Sequence, residues 1–171
     1  MLERHEFDIV SIALPPAINR DAAIAAFAAG AHVMISKPLA LDMNQAREII
    51  DSARSSGRLL GMALQNRFDP GVQMLRRVIA EGTLGHIYHS RIWHGHEMDV
   101  PTSPTLSQRR LAGGGALFHT TVHLLDSALW ALGNPRPVRA TAASYQKLSK
   151  MKRPPAPWEG RVSQCDIEDF N

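Results

Sequence analysis

The sequence predicts an α/β protein: half of a doubly wound parallel sheet, followed by the start of an α+β domain. Three short apolar runs early in the chain are separated by two stretches with helical spacing. Continuous apolar runs of this length are typical of strands that are buried on both faces of a parallel sheet. Beyond residue 66 this alternation stops, and longer helical stretches are separated by loops rich in proline and glycine. This change indicates a second domain.

The three apolar runs predict three strands. Residues 8–14 form the first run, which is cut off by Pro15 and Pro16, and residues 31–36 and 59–64 form the other two. The segments between them are short enough for the right-handed crossovers that join parallel strands. The strands are therefore expected to lie side by side in one sheet.

Two helices are predicted between these strands. The alanine-rich stretch 21–29 predicts the first helix, with Asn19 as its N-cap and Gly30 as its stop. Asp42 and Gln45 have the spacing of a capping box at the start of a second helix, in which apolar residues recur with helical period.

We predict a first domain over residues 1–66 and a second over residues 67–171. The second is expected to contain a helix over 72–82, a strand over 86–93, a loop over 98–115, a helix over 116–132, a strand over 138–145 and an irregular tail.

The composition excludes several classes of protein. The chain has 171 residues, of which 44% are hydrophobic, so it is long enough to bury a core. Its 19 Lys and Arg are matched by 16 Asp and Glu, which gives a nucleic-acid partner little support. No apolar run has the length of a membrane span or of a signal peptide core. The single Cys165 favours a reducing compartment, and we expect the cytoplasm.

A first candidate site lies where the predicted parallel strands end, because loops and helix N-termini converge at that edge. Lys37, Asn19 and Asn66 follow three different strands and could face one ligand. A desolvated lysine can bind a substrate hydroxyl and assist proton transfer. The alternative is a solvated loop lysine, with the two asparagines serving turns or caps.

A second cluster lies on the predicted helix 116–132. His119, His123 and Asp126 are spaced so that all three can share one helix face, where they could perform acid-base chemistry or bind a metal. The alternative is a partly buried helix whose histidines only form hydrogen bonds with neighbouring groups.

Two other functions remain open on the residues alone. A zinc hydrolase would use the His-x-x-x-His spacing with ligands from His89, His94, His96, Glu97 and Asp99, but Thr120 stands where such enzymes need a glutamate. A non-catalytic ligand-binding module of the same fold is the other alternative. The chain has no Gly-x-Gly-x-x-Gly turn to hold a pyrophosphate, which favours such a module.

Five segments, taken in order, resemble the glucose-fructose oxidoreductase and inositol dehydrogenase family, often called Gfo/Idh/MocA. The match covers nearly the whole chain, and five short motifs in the right order are much more specific than any one of them. The segments are Ile12-Ala13-Leu14-Pro15-Pro16, Ser36-Lys37-Pro38-Leu39-Ala40, Gln65-Asn66-Arg67-Phe68, Leu84-Gly85-His86-Ile87 and residues 113–126.

The resemblance implies a Rossmann-type domain that binds NAD or NADP, followed by a substrate domain whose sheet commonly forms homo-oligomers. It also implies hydride transfer at a carbinol carbon of a sugar, polyol or cyclitol. By position, Lys37 matches the lysine that contacts the reacting hydroxyl, and His123 matches the histidine that accepts or donates its proton. Pro15, Pro16 and Asn66 are expected to line the nicotinamide side.

Three positions depart from the family pattern. His119, a third catalytic candidate, replaces the acidic residue that usually lies four before the catalytic histidine. Ser36 replaces the glutamate before the lysine, and Asn19 occupies a cofactor-side position where a histidine is frequent. These changes are expected to alter substrate choice or activity.

Length is a further departure, because family members are much longer. We expect that this chain lacks the first half of the cofactor domain and the central C-terminal strands. Such a fragment is expected to be inactive by itself, and its unpaired strand edges are expected to make it aggregate or require a partner.

Overall fold

A computed structural model describes residues 1–95, 103–147, 150 and 165–167. Its centre is a parallel sheet in the order β1-β2-β3, formed by Ile9–Ile12, His32–Ser36 and Leu60–Ala63. Val33 in the central strand lies opposite Val10 on one side and Leu60 on the other. The three predicted strands and their parallel pairing are confirmed, and each strand is shorter than its apolar run.

Two helices, α1 (Pro16–Ala28) and α2 (Met43–Ser56), pack on the same face of this sheet. The core between them is closely packed, and its largest fully buried apolar side chains are Phe27, Ile35 and Ile49. Because side chains alternate along a strand, residues such as Ile9 and Met34 point to the opposite face, where they are 65% and 43% exposed.

The first helix begins earlier than the sequence predicts. It starts at Pro16, so Asn19 lies inside the helix and the prediction that Asn19 is its N-cap is wrong. Proline is favoured in the first turn because its missing N–H would have no helical partner there and its φ is already helical. The alanine-rich pattern marked the middle of the helix and missed this proline start.

The cap of α2 is confirmed. Oδ1 of Asp42 accepts hydrogen bonds from the backbone N–H groups of Asn44 at 2.8 Å and Gln45 at 2.9 Å. The side chain of Gln45 accepts the reciprocal bond from the backbone of Leu41 at 3.3 Å, one residue before the position expected in a capping box. Gly57 ends the helix with φ of 66°, which glycine adopts without strain.

The second half of the described chain is helical. After β3 come a 3-10 helix (Gln65–Phe68), α3 (Pro70–Ala80), α4 (Pro104–Ser107), α5 (Arg109–Ala112), a π-helical turn (Leu117–Thr121) and α6 (Val122–Ala131). The predicted helices over 72–82 and 116–132 are confirmed as α3 and as the π-helical turn with α6. The predicted loop over 98–115 is wrong in its described part, which forms α4 and α5.

The two strands predicted over 86–93 and 138–145 are wrong. Within the described ranges neither segment forms a strand, and Tyr145 alone makes an isolated bridge. Tyr88 and Val138 are 90% and 96% exposed, so no neighbouring strand covers them. An apolar run becomes a strand only when a partner pairs with its backbone. Among the helices that are described, none is both long and apolar enough to cross a membrane.

Candidate active site

A cleft of about 260 Å³ opens at the carboxyl ends of β1 and β2. Ligands of open parallel sheets bind at this edge because strand ends and helix N-termini converge there. The two halves of the chain supply opposite walls. The lining residues are Ala13, Leu14, Pro15, Pro16, Lys37 and Pro38 from the sheet side, and Thr105, Leu106 and His119 from the other side.

Lys37 follows β2 directly and lines this cleft. Its Nζ donates a hydrogen bond to the backbone carbonyl of His119, and the Lys37–Pro38 peptide bond is cis. Partial burial lowers the pKa of Lys37, because the charged ammonium loses water. The structure thus places the predicted lysine beside Pro15 and Pro16, as the strand ends indicate, and desolvates it.

Asn19 lies beneath the surface of the cleft and binds the segment after Lys37. Its side chain is fully buried, and Nδ2 donates to the backbone carbonyls of Pro38 at 3.0 Å and Leu39 at 3.4 Å. It therefore holds the segment that follows Lys37. A fully buried side chain does not contact a ligand in the cleft, so this geometry gives no support to the expected cofactor contact of Asn19.

His119 reaches the cleft from the π-helical turn that precedes α6. Gly113, with φ of 83°, ends α5 and leads into this turn. Within it, Oγ1 of Thr120 donates to the carbonyl of Ala116 at 3.0 Å. Single π-helical turns are rare and frequently lie at functional sites.

His123 lies half-buried near the start of α6, close enough to Lys37 for the two charges to interact. Loss of water on burial lowers the pKa of His123, and the positive charges of Lys37 and His94 lower it further, while Asp126 partly opposes them. Within the described part of the chain, its buried Nδ1 has no hydrogen-bond partner. A neutral imidazole in this position is able to accept a proton.

Asp126 does not share a free acid-base face with the two histidines. Its carboxylate receives two hydrogen bonds from Arg67, from Nε at 2.7 Å and from Nη2 at 2.5 Å. This pair raises the pKa of Arg67, chiefly through the side-chain hydrogen bond. Asp126 is thus engaged in an ion pair with the first half of the chain. The prediction that His119, His123 and Asp126 together offer an acid-base face is therefore not supported for Asp126.

Asn66 lies in the 3-10 helix after β3. Its side chain is half-buried, and it is not among the residues that line the cleft. Its backbone carbonyl accepts a bond from the N–H of Asp69 at 3.1 Å, which helps to begin α3. The expected contact between Asn66 and the nicotinamide side stays a prediction.

The ligand set of the alternative zinc site is only partly visible. His96, Glu97 and Asp99 lie outside the described residues. Among the residues that are described, no three His, Cys, Asp or Glu side chains cluster as metal ligands do. His89 and His94 are exposed.

Sequence reasoning missed Thr105 and Leu106, which line the cleft from α4. They lie in a proline-rich segment without a helical period, so no local signal distinguishes them from other loop residues. Their place in the cleft arises from the way the second half of the chain packs against the first.

Comparison with known proteins shows which family has this arrangement. Residues 1–64 match the model of an oxidoreductase family with an NAD-binding Rossmann fold, and residues 72–164 match the model of the GFO/IDH/MocA C-terminal domain. The second match alone covers more than half of the chain.

Individual relatives agree with the family models. D-glucoside 3-dehydrogenase of Escherichia coli (strain K12) is 35% identical over 145 residues, which are 85% of this chain and 41% of that protein. The structure of aldose-aldose oxidoreductase from Caulobacter crescentus, complexed with glycerol, has a TM-score of 0.66 and 26% identity over 77% of this chain and 39% of its own. Levoglucosan dehydrogenase in complex with NADH and levoglucosan has a TM-score of 0.65 and 26% identity over 77% and 36%.

The chain spans about two fifths of the length of the curated relatives it matches. Within that span, the first family model covers the parallel sheet β1-β2-β3, and the second covers α3 and the segments after it. The chain therefore belongs to the Gfo/Idh/MocA family of oxidoreductases, and its first domain is of the NAD-binding Rossmann type.

Proposed function

We propose that this chain takes part in NAD- or NADP-dependent oxidoreduction at a carbinol carbon of a sugar, polyol or cyclitol. The observation that carries the proposal is the cleft at the ends of β1 and β2, where Lys37 meets the turn of His119 and lies near His123. The named activities of the relatives, on glucosides and levoglucosan, support this class of substrate.

The residues of the cleft fit the nicotinamide end of the cofactor. Pro15 and Pro16 form an apolar wall against which a flat ring can pack, and Lys37 projects from the next strand. When bound, the cofactor supplies the chemistry of hydride transfer. Pro15, Pro16 and Lys37 would hold it from the sheet side, while Asn19 would act on it only by fixing the segment after Lys37.

His123 and Lys37 divide the proton chemistry. In the oxidising direction, the neutral imidazole of His123 would accept the proton of the substrate hydroxyl. The side chain of Lys37 would donate a hydrogen bond to the oxygen on which negative charge develops. His119 would contact the substrate from the wall opposite Lys37. It stands in the place where the family pattern has an acidic residue.

The test is an assay of the protein expressed from its native reading frame with the flanking sequence, against a panel of sugars, polyols and cyclitols with both cofactors. Turnover is followed by the absorbance of the reduced nicotinamide, and cofactor binding is measured separately by calorimetry. We expect His123→Asn and Lys37→Met to reduce kcat by about a hundredfold or more. Cofactor affinity should be largely kept in His123→Asn and weakened in Lys37→Met, because Lys37 is also proposed to hold the cofactor.

His86→Asn is the matched control, because His86 is an exposed histidine away from the cleft. Full activity in His123→Asn would refute the catalytic assignment. Cofactor binding without turnover of any alcohol would support a non-catalytic binding module of the same fold. Hydrolytic activity without nicotinamide turnover, lost on chelation and restored by zinc, would favour the metal hydrolase.

We also propose a reducing, cytoplasmic setting and a homo-oligomeric assembly. The single Cys165 supports the compartment, and family membership supports self-association through the substrate domain. Mass photometry of the protein in cell extract would measure its assembly state.

A further inference from the structure

An ion pair joins the first half of the chain to the helix that carries His123. Arg67 lies in the 3-10 helix that follows β3, and Asp126 lies on α6, three residues after His123. Two guanidinium nitrogens donate to the two carboxylate oxygens, at 2.7 and 2.5 Å. A bidentate pair of this kind fixes orientation as well as distance. The side chain of Asp126 is only 15% exposed, so water competes weakly for it.

A second contact holds the same helix one turn further along. Nη1 of Arg76, from α3, donates to the backbone carbonyl of Trp130 at 2.7 Å, and its guanidinium lies 4.1 Å from the centre of the Trp130 ring. The side chain of Gln73, also in α3, donates to the carbonyl of Arg67 at 2.6 Å. The Arg67–Asp126 pair is therefore part of a junction between the 3-10 helix, α3 and α6.

His123 has little else to fix its position. In the ranges that the structure describes, no group bonds to its buried Nδ1, and Ser127 bonds to the backbone carbonyl of His123 at 2.7 Å instead of to its imidazole. The position of the imidazole therefore depends on where α6 is held. A displacement of about 1 Å at a reacting group can cost about a hundredfold in rate.

We propose that Arg67 and Asp126 are positioning residues, which hold His123 beside Lys37 for proton transfer. The inference rests on the function proposed above. The charged groups that face His123 are Lys37, His94 and Asp126, of which only Asp126 favours the protonated imidazole. Because Arg67 neutralises Asp126, the ion pair sets the charge around His123 as well as the place of its helix.

The test is an NMR titration of the imidazole of His123, assigned with His123→Gln, in the protein with its native flanking sequence. Arg67→Met leaves the carboxylate of Asp126 unopposed, so the pKa of His123 is expected to rise. Asp126→Asn leaves the guanidinium unopposed, so the pKa is expected to fall. In both variants we expect kcat to fall about tenfold to a hundredfold, with little change in the KM of the cofactor. Arg67→Lys keeps the positive charge and loses the bidentate geometry of the guanidinium. It should therefore leave the pKa of His123 unchanged and give a kcat between those of the parent and Arg67→Met.

Arg20→Met is the matched control, because Arg20 also pairs with carboxylates, Asp21 and Glu48, but on the exposed surface. It should change neither the titration nor kcat. A pKa that moves the same way in Arg67→Met and Asp126→Asn, as general loosening of the helix would cause, would overturn the proposal.

If Arg67→Met does not fold, Arg67→Lys and Asp126→Asn carry the test. An unchanged kcat and an unchanged His123 titration in folded Asp126→Asn would also overturn the proposal. Failure of the proposed function is a different result, since the parent protein would then turn over no alcohol. The titration of His123 would still show whether the ion pair controls its charge.

Discussion

At the scale of single residues, the chemistry proposed for the site depends on a lysine whose charge disfavours protonation of the neighbouring His123. Burial lowers the pKa of Lys37, and burial together with the charge of Lys37 lowers the pKa of His123. Both effects on His123 favour the neutral imidazole. The sign agrees with the proposed role of His123 as proton acceptor, because a protonated imidazole has no lone pair to offer.

The pH dependence of activity follows from this sign. In the oxidising direction, kcat/KM should fall only when His123 becomes protonated, so its acid limb should lie below 6.5, the ordinary pKa of histidine. In Lys37→Met the opposing charge is gone, and the acid limb of the residual activity should move to higher pH. The measurement is a pH-rate profile, with Arg54→Met, an exposed cation on α2, as the control. A limb above 6.5 in the parent would contradict the assignment.

Asn19 gives a prediction about stability. Asn19→Ala removes both hydrogen bonds to the segment after Lys37, leaves the two carbonyls without this donor and creates a small cavity. We expect the free energy of unfolding to fall by about 1–3 kcal/mol, as measured by urea denaturation. Asn44→Ala, on the exposed side of α2, should change it by less than about 0.5 kcal/mol. Equal losses in the two variants would argue against the buried role of Asn19.

At the scale of elements, local patterns predicted what depends on local physics. The three apolar runs became β1, β2 and β3, and Asp42 caps α2, because an apolar run and a capping residue are readable over a few residues. The expected burial on both faces of the sheet was wrong, since the described residues cover only one face. The start of α1 at Pro16 was missed because Pro15-Pro16 was read only as the end of a strand. The strands predicted over 86–93 and 138–145 did not form because a strand also needs a neighbour, which a local pattern does not specify.

The cap of α2 can be tested by one substitution. Asp42→Ala removes the acceptor of two backbone N–H groups at the start of the helix. It should lower the free energy of unfolding by about 1 kcal/mol. Asp42→Ser should lower it much less, because serine is also a good N-cap. Urea denaturation of the three proteins makes the comparison. A loss in Asp42→Ser as large as that in Asp42→Ala would show that the cap contributes little.

At the scale of the whole molecule, the sheet has two unlike faces. The face that carries Val33 and Ile35 is covered by α1 and α2, whereas Ile9 and Met34 lie on the other face and are exposed. Leu59, just before β3, is 72% exposed. Exposed apolar surface of this kind favours association with other surfaces.

We expect the isolated chain to self-associate through this face. Ile9→Lys together with Leu59→Lys should shift it toward the monomer, and sedimentation velocity would measure the shift. Arg58→Lys, which leaves the apolar surface unchanged, is the control. A parent chain that is monomeric at all concentrations would contradict the expectation.

Packing between distant parts of the chain determines how much of the site could be predicted from the sequence. Lys37 and the two prolines were placed together because the carboxyl ends of neighbouring parallel strands share one edge. The inward side chain of Asn19, the contribution of Thr105 and the pairing of Arg67 with Asp126 could not be read locally. The last pair, for example, lies 59 residues apart in the sequence. Such contacts exist only after the second half of the chain has packed against the first.

The bond from Lys37 to position 119 runs to a main-chain carbonyl and does not involve the histidine side chain. Any residue at position 119 that adopts the π-helical conformation would present its backbone carbonyl oxygen to Lys37 in the same way. The lysine would therefore keep its anchor while the side chain that faces the cleft is exchanged. Under the proposed function, position 119 is thus a site at which a substitution could change the preferred substrate without disturbing the main-chain contact of Lys37.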